Sequence, residues 1–104
     1  MKKAGSDLDQ MKFPALRAFM RSYLHQDFSE EYGSVAGAVK AFCLDATKQE
    51  VAAVLKEWRE FLAVTRGKTI GEVNDLMGQK LGSAWMAGSL EELDQITEAL
   101  EKGR

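Results

Sequence analysis

Apolar residues recur three and four positions apart along most of the chain, a spacing that places them on one face of an α-helix. The pattern predicts five helices and no strand, over about residues 14–24, 34–45, 48–66, 69–81 and 89–100. The connecting segments are short, which favours mostly antiparallel neighbours. We therefore expect an all-α fold, a compact bundle of about five short amphipathic helices.

The helix over residues 48–66 has the longest apolar stripe, and Gly67 is a natural stop after it. The stripe contains Val51, Val54, Leu55, Trp58, Phe61, Leu62 and Thr65. The other helices are predicted to bury Leu16, Phe19, Met20, Tyr23 and Leu24; Val35, Ala38, Val39 and Phe42; Ile70, Val73, Leu76, Met77 and Leu81; and Leu90, Leu93, Ile96 and Leu100.

Three helix starts are marked by capping boxes, in which a Ser or Thr and a Glu three residues later bond each other's backbone N–H groups. The boxes are Thr47 with Glu50, Thr69 with Glu72, and Ser89 with Glu92. Between the last two helices lies an apolar loop around Trp85 that is flanked by glycines. We predict either a lid on the core or an exposed binding element there.

The 104 residues are enough for one domain with its own core. Residues 1–12 are polar and predict a flexible N-terminal arm, which leaves 13–104 as a single helical domain. No run approaches the roughly 20 apolar residues that span a bilayer, so we expect no membrane contact. The lone cysteine, Cys43, and the lack of an apolar run after the first lysines favour the cytoplasm.

The formal net charge of −2 disfavours a protein that binds nucleic acid directly. Acidic residues are concentrated in two segments without Lys or Arg, residues 22–34 and 89–101. The first contains Asp27, Glu30 and Glu31, and the second contains Glu91, Glu92, Asp94, Glu98 and Glu101. Each segment is either a solvated acidic face or a contact surface for a cationic partner.

No constellation of residues predicts catalysis. His25 is the only histidine, and its spacing from Asp27 places the two on different faces of a helix, which is poor for a metal site. Cys43 follows Phe42 near an apolar face and is expected to be a small buried thiol. We predict no catalytic residue, no cofactor and no metal, with His25 and Gln26 capping the end of the first helix.

The segment from Tyr23 to Tyr32 reads Tyr-Leu-His-Gln-Asp-Phe-Ser-Glu-Glu-Tyr, and an aromatic-Pro-x-Leu segment, Phe13 to Leu16, precedes it. Together they resemble the contact-dependent growth inhibition immunity proteins of the CdiI type. That family carries a motif Tyr/Phe-x-His-Gln-Asp-Trp/Phe-x-x-Glu-Tyr at the same place. The motif residues in this chain are Tyr23, His25, Gln26, Asp27 and Phe28.

The resemblance implies a non-catalytic cytoplasmic protein that binds the C-terminal toxin domain of its cognate CdiA as a monomer in a 1:1 complex. It implies inhibition by covering the toxin's active site or substrate-docking surface. Many such toxins are nucleases, and a basic nuclease suits an acidic inhibitor. The candidate toxin contacts are Asp27, Glu30, Glu31 and Tyr32 in the first acidic segment, and Glu91, Glu92, Asp94 and Trp85 in the last third.

The sequence leaves open where the toxin contacts lie and which of two functions the protein has. Family members meet different toxins yet share the His-Gln-Asp motif, so the motif either contacts the toxin or holds the fold together while the last helix gives specificity. The last third also lacks the proline and the Tyr-x-x-Trp-Leu stretch of the family. The alternative function is a small helical adaptor or regulator that forms a homodimer through its apolar loop or binds another protein partner.

Overall fold

Five α-helices make up most of the part of the chain that the computed structural model describes, residues 13–24, 33–83 and 85–102. They are α1 (Pro14–Tyr23), α2 (Val35–Asp45), α3 (Lys48–Val64), α4 (Ile70–Leu76) and α5 (Leu90–Lys102). A π-helical turn, Met77–Leu81, continues α4. No described residue lies in a strand, and the all-α prediction is confirmed.

The starts of α3 and α4 are fixed by the capping boxes that the sequence predicts. Thr47 Oγ1 accepts from the backbone N–H of Glu50 at 3.1 Å, and Glu50 Oε1 accepts from that of Thr47 at 2.8 Å. In α4 the same pair of bonds joins Thr69 and Glu72, at 3.2 and 2.9 Å. Each box satisfies two N–H groups that a helix end leaves without an intrahelical partner.

The start of α5 differs from the prediction in two respects. The Glu92 carboxylate reaches past Ser89 and accepts from the backbone N–H of Gly88 at 2.8 Å. Leu90, predicted to face inward, is 56% exposed. It is the first residue of the helix, so no preceding turn covers it, and it lies at the mouth of a groove instead of in the core.

Two helix ends also differ from the predicted bounds. The third helix stops at Val64, not at Arg66, because the chain turns through Thr65 and reaches the left-handed conformation at Gly67 (φ 88°). The fourth helix runs to Leu81 as predicted, but its last turn is a π-helix. Such turns insert one residue into an α-helix and occur frequently at functional sites.

The core lies around α3, which packs against α1, α2 and α5, while α2 packs mainly on α5. Trp58, at 0% exposure, is the largest side chain in it, and its Nε1 donates to Thr97 Oγ1 of α5 at 2.9 Å. The predicted apolar faces of α1 and α2 are confirmed, with Leu16, Phe19, Met20, Leu24, Val35, Ala38, Val39 and Phe42 buried. In α4, Ile70 and Leu76 are only partly buried.

The first helix is capped by a residue from a different helix. None of its own side chains caps it, and Glu57 of α3 instead accepts from the backbone N–H of Leu16 at 2.8 Å. Phe13, in the left-handed conformation (φ 46°), is buried against Phe61 with ring centroids 5.8 Å apart. Burial of this ring offsets the unfavourable backbone conformation of a non-glycine residue.

The predicted N-terminal arm, residues 1–12, lies outside the described residues. Within the described helices, none is both long enough and apolar enough to cross a membrane.

Candidate partner-binding surface

Most of the histidine-containing motif, together with the first acidic segment, lies outside the described residues. This holds for His25, Gln26, Asp27, Phe28, Glu30, Glu31 and Tyr32. The contacts that these residues make with the rest of the protein, or with a toxin, therefore stay predictions.

The residue that begins the motif, Tyr23, lies in an aromatic cluster where α1 meets α2. Its ring packs on Phe19 and Phe42, with centroid separations of 5.8 and 5.4 Å. Its hydroxyl donates to Asp45 Oδ2 at 3.1 Å. The half-buried ring and the exposed hydroxyl face a shallow groove of about 340 Å³. The chain thus leaves α1 from a well-packed end, since Leu24 is fully buried.

The second acidic segment forms an ordered stripe along α5. Glu91, Asp94, Glu98 and Glu101 are spaced i, i+3, i+7 and i+10, so they lie on one helical face, and all four are exposed. The opposite face of α5 is buried through Leu93, Ile96 and Leu100. We call these four carboxylates the acidic stripe. Because α5 is anchored to the core, the stripe is held in a fixed orientation.

The acidic residues of α5 are not equivalent. Glu92 lies off the stripe, half-buried, with its carboxylate bonded to the backbone of Gly88. Glu101, at the far end of the stripe, forms a salt bridge with Arg59 of α3. Glu91 and Asp94 have no ion pair or side-chain hydrogen bond with any described residue. Glu91 and Asp94 therefore have their carboxylates in solvent, whereas the Glu92 carboxylate is bonded within the protein. Which of these three candidates contacts a toxin stays a prediction.

A groove of about 550 Å³ separates the end of α3 from the start of α5. Leu90 and Asp94 line one side, and Arg59, Arg66 and Lys68 line the other. The acidic stripe is therefore bordered by basic side chains along one edge. Along the other edge of α5, Lys40 of α2 and Lys102 line a second groove together with Glu98.

The loop between α4 and α5, residues 82–89, combines a covered and an exposed apolar side chain; of its residues only Ala84 is not described. Trp85 is partly buried against the core, while the next residue, Met86, is 66% exposed. Ala87 is buried again. The loop thus covers part of the core with Trp85 and presents Met86 to solvent.

Asn74 is a residue that sequence reasoning missed. It is 9% exposed, and its side-chain amide makes two bonds to one residue of the loop: Nδ2 donates to the Ala87 carbonyl, and Oδ1 accepts from the Ala87 N–H, both at 2.8 Å. The sequence does carry an indication, because Asn74 stands four residues after Ile70 and three before Met77, on the apolar face of α4. A polar residue at such a position needs a buried hydrogen-bond partner.

In the part of the chain that the structure describes, two titratable groups have shifted pKa values, and neither lies in a cluster of reactive side chains. Burial raises the pKa of the Cys43 thiol, which favours its protonated and less nucleophilic form. The hydrogen bonds from Thr69 lower the pKa of Glu72, as expected for a carboxylate in a capping box. Among the described residues, no group of three or more His, Cys, Asp or Glu side chains could hold a metal ion.

These features define a small helical binding domain, with a filled core, an exposed methionine on a bonded loop and an acidic stripe beside it. A family model described as CdiI immunity protein matches residues 12–100. The match covers most of the chain, and the protein belongs to the CdiI immunity protein family. It is thus an immunity protein against a contact-dependent growth inhibition toxin, and the family implies that it binds a cognate CdiA toxin domain. No curated protein and no solved structure matches the chain.

Proposed function

We propose that this protein neutralises a basic nuclease toxin by covering its active site or substrate-docking surface, in a 1:1 complex in the cytoplasm. The main support for this proposal is the acidic stripe on α5. A nuclease that grips phosphates is commonly basic, so a row of fixed carboxylates is complementary to the surface that would otherwise bind nucleic acid. No chemistry on the part of the inhibitor is needed for this mode of action.

The stripe is suited to this task because α5 is held rigidly. Leu93, Ile96 and Leu100 anchor its inner face, and the bond from Trp58 to Thr97 fixes its middle to α3. Carboxylates on an ordered helix lose less conformational freedom on binding than carboxylates on a loop. We therefore expect charge complementarity to give a fast, salt-sensitive association and a stable complex.

Glu91 and Asp94 are the strongest candidates for direct contact with the toxin, since both are exposed and have no ion pair with a described residue. The Glu92 carboxylate is occupied by Gly88, so its role is to hold the start of α5. Asp27, Glu30, Glu31 and Tyr32 remain proposed contacts of a second acidic surface. Trp85 is proposed to support the surface from beneath, because it packs on the core.

The test measures inhibition of the toxin domain encoded beside the gene, with nucleic acid cleavage as the readout. The informative variant is Asp94→Lys, and the matched control is Asp75→Lys, which reverses another exposed helical carboxylate away from α5. We expect Asp94→Lys to weaken inhibition by about tenfold or more and the control to leave it within about twofold. Raising the salt concentration should reduce the difference in inhibition between the wild-type protein and Asp94→Lys, because salt screens the charges.

A toxin that stays fully active with the wild-type protein in excess would overturn the immunity pairing. A toxin that is inhibited, but has no nuclease activity, would overturn the proposed toxin class alone. Equal inhibition by the wild-type protein and by Asp94→Lys would remove the acidic stripe as the contact and leave the first acidic segment as the candidate.

A further inference from the structure

The loop between α4 and α5 is fixed in place by side-chain bonds at three points. Asn74 holds both backbone groups of Ala87. Ser83 Oγ accepts from the Trp85 N–H at 3.1 Å and donates to the Trp85 carbonyl at 2.9 Å. At the far end, Glu92 accepts from the Gly88 N–H. Together these bonds satisfy the buried backbone groups of Ala87 and restrict the conformations open to the loop.

The entry to the loop is equally constrained. After the π-helical turn, Gly82 adopts the left-handed conformation (φ 71°), and the Ser83 N–H bonds the Met77 carbonyl at 3.2 Å. The side chain of Arg21 packs so closely on Gly82 that a Cβ atom there would lie 3.1 Å from its Cγ. Both the backbone conformation and the space at this position therefore favour glycine.

This constrained loop presents an apolar side chain to solvent. Met86 is 66% exposed between two residues that are held down, Trp85 and Ala87. Leu90, also exposed, is the first residue of α5, four positions later in the chain and next to Glu91 at the start of the acidic stripe. An apolar centre with a charged rim is the usual anatomy of a protein–protein interface. Methionine is common at such centres because its flexible side chain adapts to the partner.

We infer that Asn74 is a positioning residue for toxin recognition: it fixes the loop so that Met86 inserts into an apolar depression on the toxin, beside the basic residues that meet the acidic stripe. The inference rests on the proposed function. Asn74 does not touch the toxin. It acts by removing alternative loop conformations, so less conformational entropy is lost when the complex forms.

The toxin fits this surface better than a second copy of the chain does. A two-fold dimer through Met86 would bring the two loops together and, with them, the acidic starts of both α5 helices. Like charges brought close together oppose association, whereas a basic partner would be attracted to the same carboxylates. Membership of a toxin-binding family also supplies an occupant for the surface.

The first experiment compares Met86→Ala with Leu44→Ala in calorimetric titrations of the toxin domain encoded beside the gene. Leu44 is the matched control, since it is also a large exposed apolar residue (79%) but lies on α2. We expect Met86→Ala to raise the Kd by about tenfold or more and Leu44→Ala by less than about twofold. The reverse pattern, or equal effects, would overturn the inference.

The second experiment tests positioning through a double-mutant cycle. If Asn74 acts through Met86, then Met86→Ala should have a much smaller effect in the Asn74→Ala background than in the wild type. Additive effects would show that Asn74 has only a structural role and would overturn this part of the inference. Hydrogen exchange should show the Ala87 amide protected in the wild type and fast in Asn74→Ala, with α3 unchanged.

A further control distinguishes an effect on the loop from a general loss of folding stability. Thr47→Ala removes the cap of α3, a helix that does not carry Asn74, and should leave the Kd unchanged. If Asn74→Ala does not fold, Ser83→Ala replaces it in the cycle, because it frees the Trp85 backbone of the same loop and leaves α4 intact. It should likewise reduce the effect of Met86→Ala. Failure of the wild-type protein to bind the toxin would overturn both the proposed function and this inference. If light scattering showed a dimer that becomes a monomer in Met86→Ala, the loop would bind a second copy of the chain. That result would overturn this inference and leave the proposed function standing.

Discussion

The starts of α3 and α4 and the loop between α4 and α5 show two different ways of fixing a chain. At Thr47 and Thr69 the bonds join residues three positions apart, so the neighbouring sequence determines the geometry. In the loop, the decisive bonds join Asn74 to Ala87, thirteen positions away. The first kind is visible in the sequence as a motif, whereas the second becomes visible only once the helices are packed.

The capped helix starts serve the core, whereas the loop belongs to the proposed toxin-binding surface. The capped starts place helices whose apolar faces fill the core, and their outer surfaces need little further specification. The loop carries an exposed methionine, and it is held by a buried amide that contributes nothing to the apolar packing of α4. A polar side chain kept at an apolar position is best explained by the position of the loop that it fixes.

The largest effect should come from the core, on which all the helices pack. Trp58→Ala removes the largest fully buried side chain and its bond to Thr97. We expect a loss of about 3–5 kcal/mol in the free energy of unfolding, measured in urea. Thr97→Val is the control, since it leaves the indole in place and removes only its hydrogen-bond partner. A loss below about 1 kcal/mol for Trp58→Ala would contradict the central position of this residue.

A smaller effect is expected from the clamp on the loop. Asn74→Ala leaves the buried N–H and carbonyl of Ala87 without their partners, which should lower the free energy of unfolding by about 1–3 kcal/mol. Denaturant unfolding with circular dichroism measures the change. An Asn74→Ala protein as stable as the wild type would contradict the clamp.

The capping boxes should each contribute less. Thr47→Ala and Thr69→Ala should lower the free energy of unfolding by about 1 kcal/mol each, because each removes one side-chain bond to a helix N–H. Replacement by serine should restore most of the loss, since serine offers the same oxygen. Effects that differ greatly between the two positions would show that tertiary contacts, in addition to the local motif, determine these helix starts.

The smallest effect concerns pH. The pKa of Glu72 is lowered in the folded state from its ordinary value of 4.5, chiefly by the hydrogen bond from the Thr69 backbone. Its contribution to stability is therefore present above the unfolded pKa and is lost as the pH falls through the folded pKa. Between about pH 6 and pH 3, Glu72→Gln should lose less stability than the wild type. Identical pH profiles would contradict this contribution.

Local sequence was sufficient for the number of helices, for the capped starts of α3 and α4 and for most of the core, because amphipathic spacing and capping motifs act over a few residues. It was insufficient where distant residues meet. The cap on α1 comes from Glu57, forty-one residues after Leu16, and no local pattern indicates it. Leu90 fits the apolar spacing of α5, yet the path of the preceding loop leaves it exposed.

The candidate site likewise has a part that local sequence predicts and a part that depends on contacts between distant residues. The acidic residues of the last helix were recognisable from their lack of neighbouring Lys or Arg, and the helical spacing then orders four of them into one stripe. The sequence could not show that Glu92 is used internally or that Met86, next to Trp85, is the exposed side chain of the loop. Both depend on the backbone position of the residues around Ala87, which the buried amide of Asn74 holds.

The most direct test of the account is a hydrogen–deuterium exchange comparison of the protein alone and bound to the toxin domain encoded beside the gene. We expect added protection over residues 85–94, where Met86, Glu91 and Asp94 lie, and little change at the end of α2 around Leu44. A complex that forms without added protection over residues 85–94 would contradict the proposed surface and would place the toxin on another face of the bundle.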